Sequence, residues 1–217
     1  IIEDNAETPG GRYKGRLLGT FGDVSCFSFF ANKVVTTGEG GAVITADEAV
    51  ANRCRELRDH GMSRFKRYHH VELGYNYRMT NMQAAVGVAQ WEAFDQIVEK
   101  RHQQMRRYDA GLATIRGVTP RCFADWCTPI HWLTTIALED GISRDGLIAF
   151  MKEHAVDCRT MINPVHAAEH FAPHHDAAEF PVSVRVSQRS LHLPSATALR
   201  EDQIDRVVSL VAEFVSR

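Results

Sequence analysis

Cys26-Phe27-Ser28-Phe29-Phe30-Ala31-Asn32-Lys33-Val34-Val35-Thr36-Thr37-Gly38-Glu39-Gly40-Gly41 is the stretch whose reading decides the fold. Val24 to Phe30 is aromatic and β-branched and is bounded by Gly22-Asp23, which predicts a buried strand. One lysine follows, then two threonines and three glycines in four positions. That glycine density predicts a tight and unusual backbone path. Gly41 to Thr45 predicts the next strand. Lys33 therefore stands between a buried strand and a glycine turn, where burial would strip water from its amine and favour attack on carbonyls. The ordinary alternative is a lysine lying along the surface at a strand end, its head in water, and spacing alone favours it.

Composition sets the outer limits. The chain has 217 residues, 44% hydrophobic and 24% charged, an ordinary balance for a folded chain with a sizeable core and up to two domains. Its formal charge of −2, from 25 basic and 27 acidic residues, gives no general electrostatic reason to expect nucleic acid or an anionic membrane as partner. No apolar run approaches the roughly 20 residues of a membrane span, and no secretory leader is expected. Five cysteines (Cys26, Cys54, Cys122, Cys127 and Cys158) without a CxxC pair predict a reduced, cytoplasmic protein.

Along the chain, Ile1 to Glu7 reads as a strand end running into a turn. Carboxylates there sit where ligands bind in α/β sheets, although Glu3 and Asp4 serve equally well as loop or cap acids. Thr8 to Asp23 reads as a loop; Arg12, Lys14 and Arg16 on it could approach an anionic substrate, but a solvated face is the favoured reading. Asp47 to His60 reads as a helix stopped by Gly61. Leu73 to Thr80 is a glycine-led turn into a long helix capped by Thr80 or Asn81. Apolar residues at helical steps carry it through Ile97 and on to Thr114, with Lys100, Arg101, Arg106 and Arg107 at exposed positions.

Gly117, Pro120 and Pro129 then punctuate short segments, predicting a division into residues 1–115 and 116–217. The second part reads as a strand over Ile130–Leu138, a helix capped by Ser143 and a strand over Val156–Met161. A turn at Asn163–His166 and a terminal amphipathic helix over Glu201–Arg217 complete a small α+β domain. His166, His170 and His174 are four apart, but Pro173 interrupts them and no Cys or carboxylate repeats with them, so no metal site is expected. GxSxG, HExxH, GxGxxG and a P-loop lysine are all missing.

The FSFF segment, the spacer carrying Lys33 and the TTGEGG run together resemble the lysine segment of the DegT/DnrJ/EryC1/StrS family, the pyridoxal 5'-phosphate (PLP) sugar aminotransferases. The resemblance implies an α/β fold of PLP-dependent transferase type I, aspartate aminotransferase-like, with a small α+β C-terminal domain. It implies that Lys33 carries PLP as a Schiff base and that Ser28, five residues earlier, bonds its phosphate. Ile2-Glu3-Asp4 resembles the family's pyridine-binding segment. By that resemblance Asp4 pairs with the ring nitrogen and keeps the ring an electron sink, and Glu7 stands near the ring where members carry Gln, His or Glu. Gly74-Tyr75-Asn76-Tyr77-Arg78-Met79-Thr80 resembles a loop that reaches the partner subunit's site, implying that Asn76 first, and Arg78 second, contacts the phosphate across a homodimer interface. Arg159 and His166 fall where the family lines its substrate entrance.

The resemblance is nearest to the branch making 4-amino-4,6-dideoxy sugars. It implies amino transfer, with glutamate as donor, to a nucleotide-linked 4-keto-6-deoxy sugar. A sister branch that removes the 3-hydroxyl carries His at the lysine position, so Lys33 indicates transamination. The resemblance spans nearly all of this chain but only the C-terminal part of a member, so an N-terminally incomplete fold is expected. A second reading follows from that: a truncated, non-catalytic dimerisation or binding module derived from the family.

Overall fold

The computed structural model describes residues 1–119 and 121–217; Pro120, one of the expected punctuation points, lies outside the described residues. In chain order the elements are β1 (Ile2–Asp4), β2 (Arg12–Tyr13), β3 (Arg16–Leu17), β4 (Val24–Ser28), β5 (Gly41–Ile44), α1 (Glu48–Arg58), α2 (Asn81–Glu92), α3 (Phe94–Leu112), β6 (Val118–Thr119), β7 (Cys127–Thr128), β8 (Thr134–Leu138), α4 (Arg144–Glu153), β9 (Arg159–Thr160), α5 (Pro181–Arg189), β10 (Ser190–Leu193) and α6 (Glu201–Val215). They form two compact units, Ile1–Glu99 with Phe123–Trp132, and Lys100–Cys122 with Leu133–Arg217.

The first unit is built on a sheet of order β1-β4-β5, with β1 and β4 parallel and β4 and β5 antiparallel. Asp4 is the register partner of Cys26, and Ser28 that of Gly41, so the C-terminal ends of β1 and β4 share one edge. The expected buried strand over Val24–Phe30 ends at Ser28, and of its five residues only Ser25 is fully buried. Ile2, Val43 and Ile44 on the flanking strands are exposed, so the sheet is not sealed within this unit. The expected loop over Thr8–Asp23 holds a β2–β3 hairpin joined to β7. Its tip, Lys14-Gly15, has both φ angles positive (48° and 80°), the twist a two-residue hairpin needs without the usual Asn-Gly signal.

Glu3 anchors this hairpin region to the sheet. Its carboxylate accepts hydrogen bonds from the backbone N–H groups of Gly22 (2.5 Å), Phe21 (2.6 Å) and Gly19 (2.8 Å). These bonds, Gly22 first, hold the carboxyl below the ordinary 4.5. A carboxyl depressed on folding stabilises above its unfolded value, and that contribution fades as pH falls through the folded value. Thermal melts at successive pH values below about 4.5 are therefore expected to fall steeply for the parent chain and less steeply for Glu3→Gln; parallel curves would refute the anchoring role.

Asp47 caps α1 through Ala49 and Val50 N–H. At the other end of the helix, Gly61 has φ +66° and Gly74 lies flush on its backbone, so a Cβ at either position meets main-chain atoms. This close approach seats the loop after Gly74 on α1: Tyr75 N–H donates to Leu57 O (2.7 Å) and Tyr77 N–H to Arg58 O (2.9 Å). Thr80 then caps α2 in a reciprocal box with Gln83. The single long helix expected here is two, broken at Ala93 where the rings of Trp91 and Phe94 stack at 4.8 Å.

The second unit carries the main core. Its sheet, of order β6-β8-β10-β9, is antiparallel throughout. One face packs Ile136, Leu138, Leu191 and Leu193 against Leu147 and Met151 of α4 and Ile204, Val207 and Val211 of α6. The terminal helix forms as expected. The strand expected over Ile130–Leu138 begins at Thr134, that over Val156–Met161 shrinks to Arg159–Thr160, and the region before Pro194 supplies α5 and β10.

Arg101, expected on a solvated face, is 6% exposed and donates to Ser195 O. With Gln104, bonded to the carbonyls of Ala196, Thr197 and Leu199, and Tyr108, whose hydroxyl donates to Pro194 O (2.9 Å), it forms one helical stripe clasping the 194–199 loop. Losing the Arg101 donor leaves a part-buried carbonyl under-satisfied. Arg101→Met is therefore expected to cost about 1–3 kcal/mol, read as a lower urea midpoint at unchanged slope; an unchanged midpoint would refute the clasp.

Candidate active site

The site grows from the end of β4. Beyond Ser28 the chain turns through Phe30 and Lys33, whose N–H donates to Phe30 O (3.0 Å), and returns at Thr37, whose N–H donates to Phe29 O (2.9 Å). Val34 and Val35, 3% and 2% exposed, pin the turn from inside. Thr36 and Thr37 spend their hydroxyls on the same turn, on Phe29 O and Glu39 O. The two threonines of the TTGEGG run thus close the loop that presents Lys33.

The Lys33 side chain is 10% exposed. Its Nζ is ion-paired with Glu7 Oε1 and lies 4.1 Å from the centroid of the Trp132 ring. Glu7 Oε2 is buried without a hydrogen-bond partner. Asp4 is exposed at the end of β1, one carboxylate oxygen accepting from Ala6 N–H (3.1 Å). Ser28 is half-buried at the end of β4, its hydroxyl accepting from Phe30 N–H (3.3 Å). Glu7 and Lys33 are brought into contact, and Asp4 and Ser28 share the sheet edge from which the lysine loop springs.

Asn76 and Arg78 sit elsewhere in the first unit. Asn76 bridges Asp59 at the end of α1, and Arg78 Nη1 is 3.4 Å from Asp59 Oδ1. Arg78 also lines an open groove of about 350 Å³ with Tyr77, Met79 and Glu39–Gly41, so it faces the glycine turn that begins the strand paired with Ser28. Arg159 and His166 belong to the second unit. Arg159 is exposed on β9 beside His192, and burial, then the Arg159 charge, lowers the His192 imidazole from its ordinary value. The His166 ring stacks on Phe180 at 4.5 Å with Nε2 buried and unpartnered.

Trp132 is the site residue that sequence reading missed. Ile130-His131-Trp132 was expected inside a strand, yet Trp132 packs on the lysine loop. No local signal marks it, since the contact spans 100 positions.

The donor set suits PLP. A mostly buried amine suits condensation with an aldehyde, an exposed carboxylate at the sheet edge suits a cationic ring nitrogen, and a hydroxyl beside it suits a phosphate. Nothing in the set resembles a metal centre, and no such cluster occurs among the described residues. No helix among them is long and apolar enough to cross a membrane.

Comparison with known proteins agrees. The chain is 36% identical over 218 residues to a GDP-perosamine synthase of Vibrio cholerae, covering 99% of this chain and 59% of that protein. It is 35% identical to EpsN of Bacillus subtilis, described as a pyridoxal phosphate-dependent aminotransferase, over 97% of this chain and 55% of that one. Among solved structures, DesV of S. venezuelae, in complex with a ketimine intermediate, superposes with a TM-score of 0.91 at 33% identity, covering 100% of this chain and 58% of that one. The chain thus spans somewhat over half the length of these relatives. Its fold is that of the type I PLP-dependent transferases, and PLP is the family's cofactor. The profile of the DegT/DnrJ/EryC1/StrS aminotransferase family matches residues 1–212, and the chain belongs to that family.

Proposed function

We propose that the protein transfers an amino group from glutamate to a nucleotide-linked 4-keto-6-deoxy sugar. The observation that carries the reading is the mostly buried Lys33 amine, held by Glu7 on the edge where β1 and β4 deliver Asp4 and Ser28. Similarity to GDP-perosamine synthase supports the sugar class. When bound, PLP supplies an aldehyde that condenses with amines and a cationic ring that withdraws electrons. Asp4 would hold the ring nitrogen protonated. Ser28 would hold the phosphate. Lys33 Nζ, freed by the donor, would take and return the proton moved between donor carbon and cofactor, with Glu7 keeping the amine in place. Asn76 and Arg78 would meet the phosphate of a second copy's site in a homodimer, and Arg159 and His166 would meet the sugar nucleotide. Exposed Leu73 and Met82, 83% and 80% accessible beside the Asn76 loop, support association through this face.

Visible absorbance titration with PLP, followed by glutamate, tests the reading. A Lys33-dependent band bleached by glutamate supports it, and nucleotide-linked keto sugars then identify the acceptor. A chain that dimerises yet gives no such band would instead support the non-catalytic binding module.

A further inference from the structure

Trp132 touches the lysine loop twice. Its Nε1–H donates to the backbone carbonyl of Asn32 (2.8 Å), the residue just before Lys33, and its ring lies 4.1 Å from Lys33 Nζ. One side chain thus fixes both the main chain at the base of the lysine and the charge at its tip. Glu7 holds the same nitrogen. A lysine has four rotatable carbons and loses its held position easily, and an ammonium within about 6 Å of an indole face is attracted by the ring quadrupole, more strongly where water is excluded. We infer that Trp132 is a positioning residue for Lys33, clamping its ammonium before the cofactor arrives. The inference rests on the reading of Lys33 as the reacting lysine for its meaning in catalysis, while the clamp itself is a property of the chain without cofactor.

Reductive methylation with ¹³C-formaldehyde on the full chain freed of PLP tests it. Lys14, Lys66, Lys100 and Lys152 serve as internal controls. In the parent, Lys33 is expected to label slowly, and its methyl resonance is expected to be displaced upfield by the indole ring current. Trp132→Leu should label Lys33 about 5–30-fold faster, the range expected for losing a partly desolvated cation–π contact, with the controls unchanged and the upfield displacement gone. Trp132→Phe, which keeps a ring but no N–H donor, should fall between and retain part of the displacement. Equal Lys33 rates in parent and Leu variant, or a parent resonance with no ring-current displacement, would overturn the clamp. Should the Leu variant not fold, the Phe variant decides: a Lys33 rate at least about twofold above the parent supports the clamp, and an unchanged rate overturns it. No cofactor enters this experiment, so a failure of the PLP titration and a failure of the clamp are read separately.

Discussion

Under the proposed transamination, Lys33→Ala is expected to lower amino-sugar formation by roughly 10⁴-fold, the upper end of what one positioned proton-transfer group supplies, before the loss of the proposed covalent link to the cofactor is counted. The argument is local. The lysine loop owes its shape to Val34, Val35 and the Thr36 and Thr37 hydroxyls, none of which depends on the Lys33 head group. Truncating the side chain at Cβ therefore leaves the loop's backbone bonds in place and takes away the nitrogen paired with Glu7 and held against the Trp132 ring. Glu7 then keeps one oxygen buried without a partner and loses the partner of the other, a modest cost in stability beside the loss of chemistry. Lys33→Arg preserves the charge but cannot lose its proton, and it should be as inactive as alanine. Steady-state rates at saturating PLP and glutamate, with circular dichroism to verify the fold, give the answer. A variant retaining a tenth of parental turnover would end the assignment of Lys33.

The largest effect on stability is expected in the second unit. Leu147 is fully buried in α4 beneath the β6-β8-β10-β9 sheet, in the cluster that includes Met151, Leu191 and Val211. Truncation to alanine removes the transfer energy of three carbons and leaves a cavity that a sheet-backed core does not collapse to fill. About 3 kcal/mol is expected within the 2–5 range of such changes. For a chain of this size that corresponds to a drop in melting temperature of about 6–12 °C. Calorimetry of the single variant checks it. A drop under about 2 °C would mean the core closes around the gap.

The parts of this molecule that were legible in its sequence are those whose cause is local. A strand, a lone lysine, two threonines and a glycine run occur in the order the structure gives them. Thr80 and Ser143 cap the helices they precede, and the terminal helix buries its apolar stripe. The parts that were hidden have causes elsewhere in the chain. β10 is only four residues long, and its central place depends on neighbours from β8 and β9 rather than on its own pattern. Arg101 read as surface charge because charge is usually solvated, yet its place in the stripe of Gln104 and Tyr108 puts it against the 194–199 loop. The Lys14-Gly15 turn lacks the residue pair that normally announces a hairpin. In the candidate site, Asp4, Ser28 and Lys33 lie on or beside strand ends that could be read, whereas Trp132 is set by a return of the chain that periodicity does not encode.

That return has a consequence for how the molecule is made. The first unit is interrupted: its segment from Phe123 to Trp132 arrives only after the chain has entered and left the second. Lys33 is synthesised before the indole that lies over it, which follows 99 positions later, so the loop closes against a long-range contact whose entropy cost grows with the logarithm of separation. No single cut in the chain releases either unit whole. The lysine loop is therefore written well before the contact that locks it.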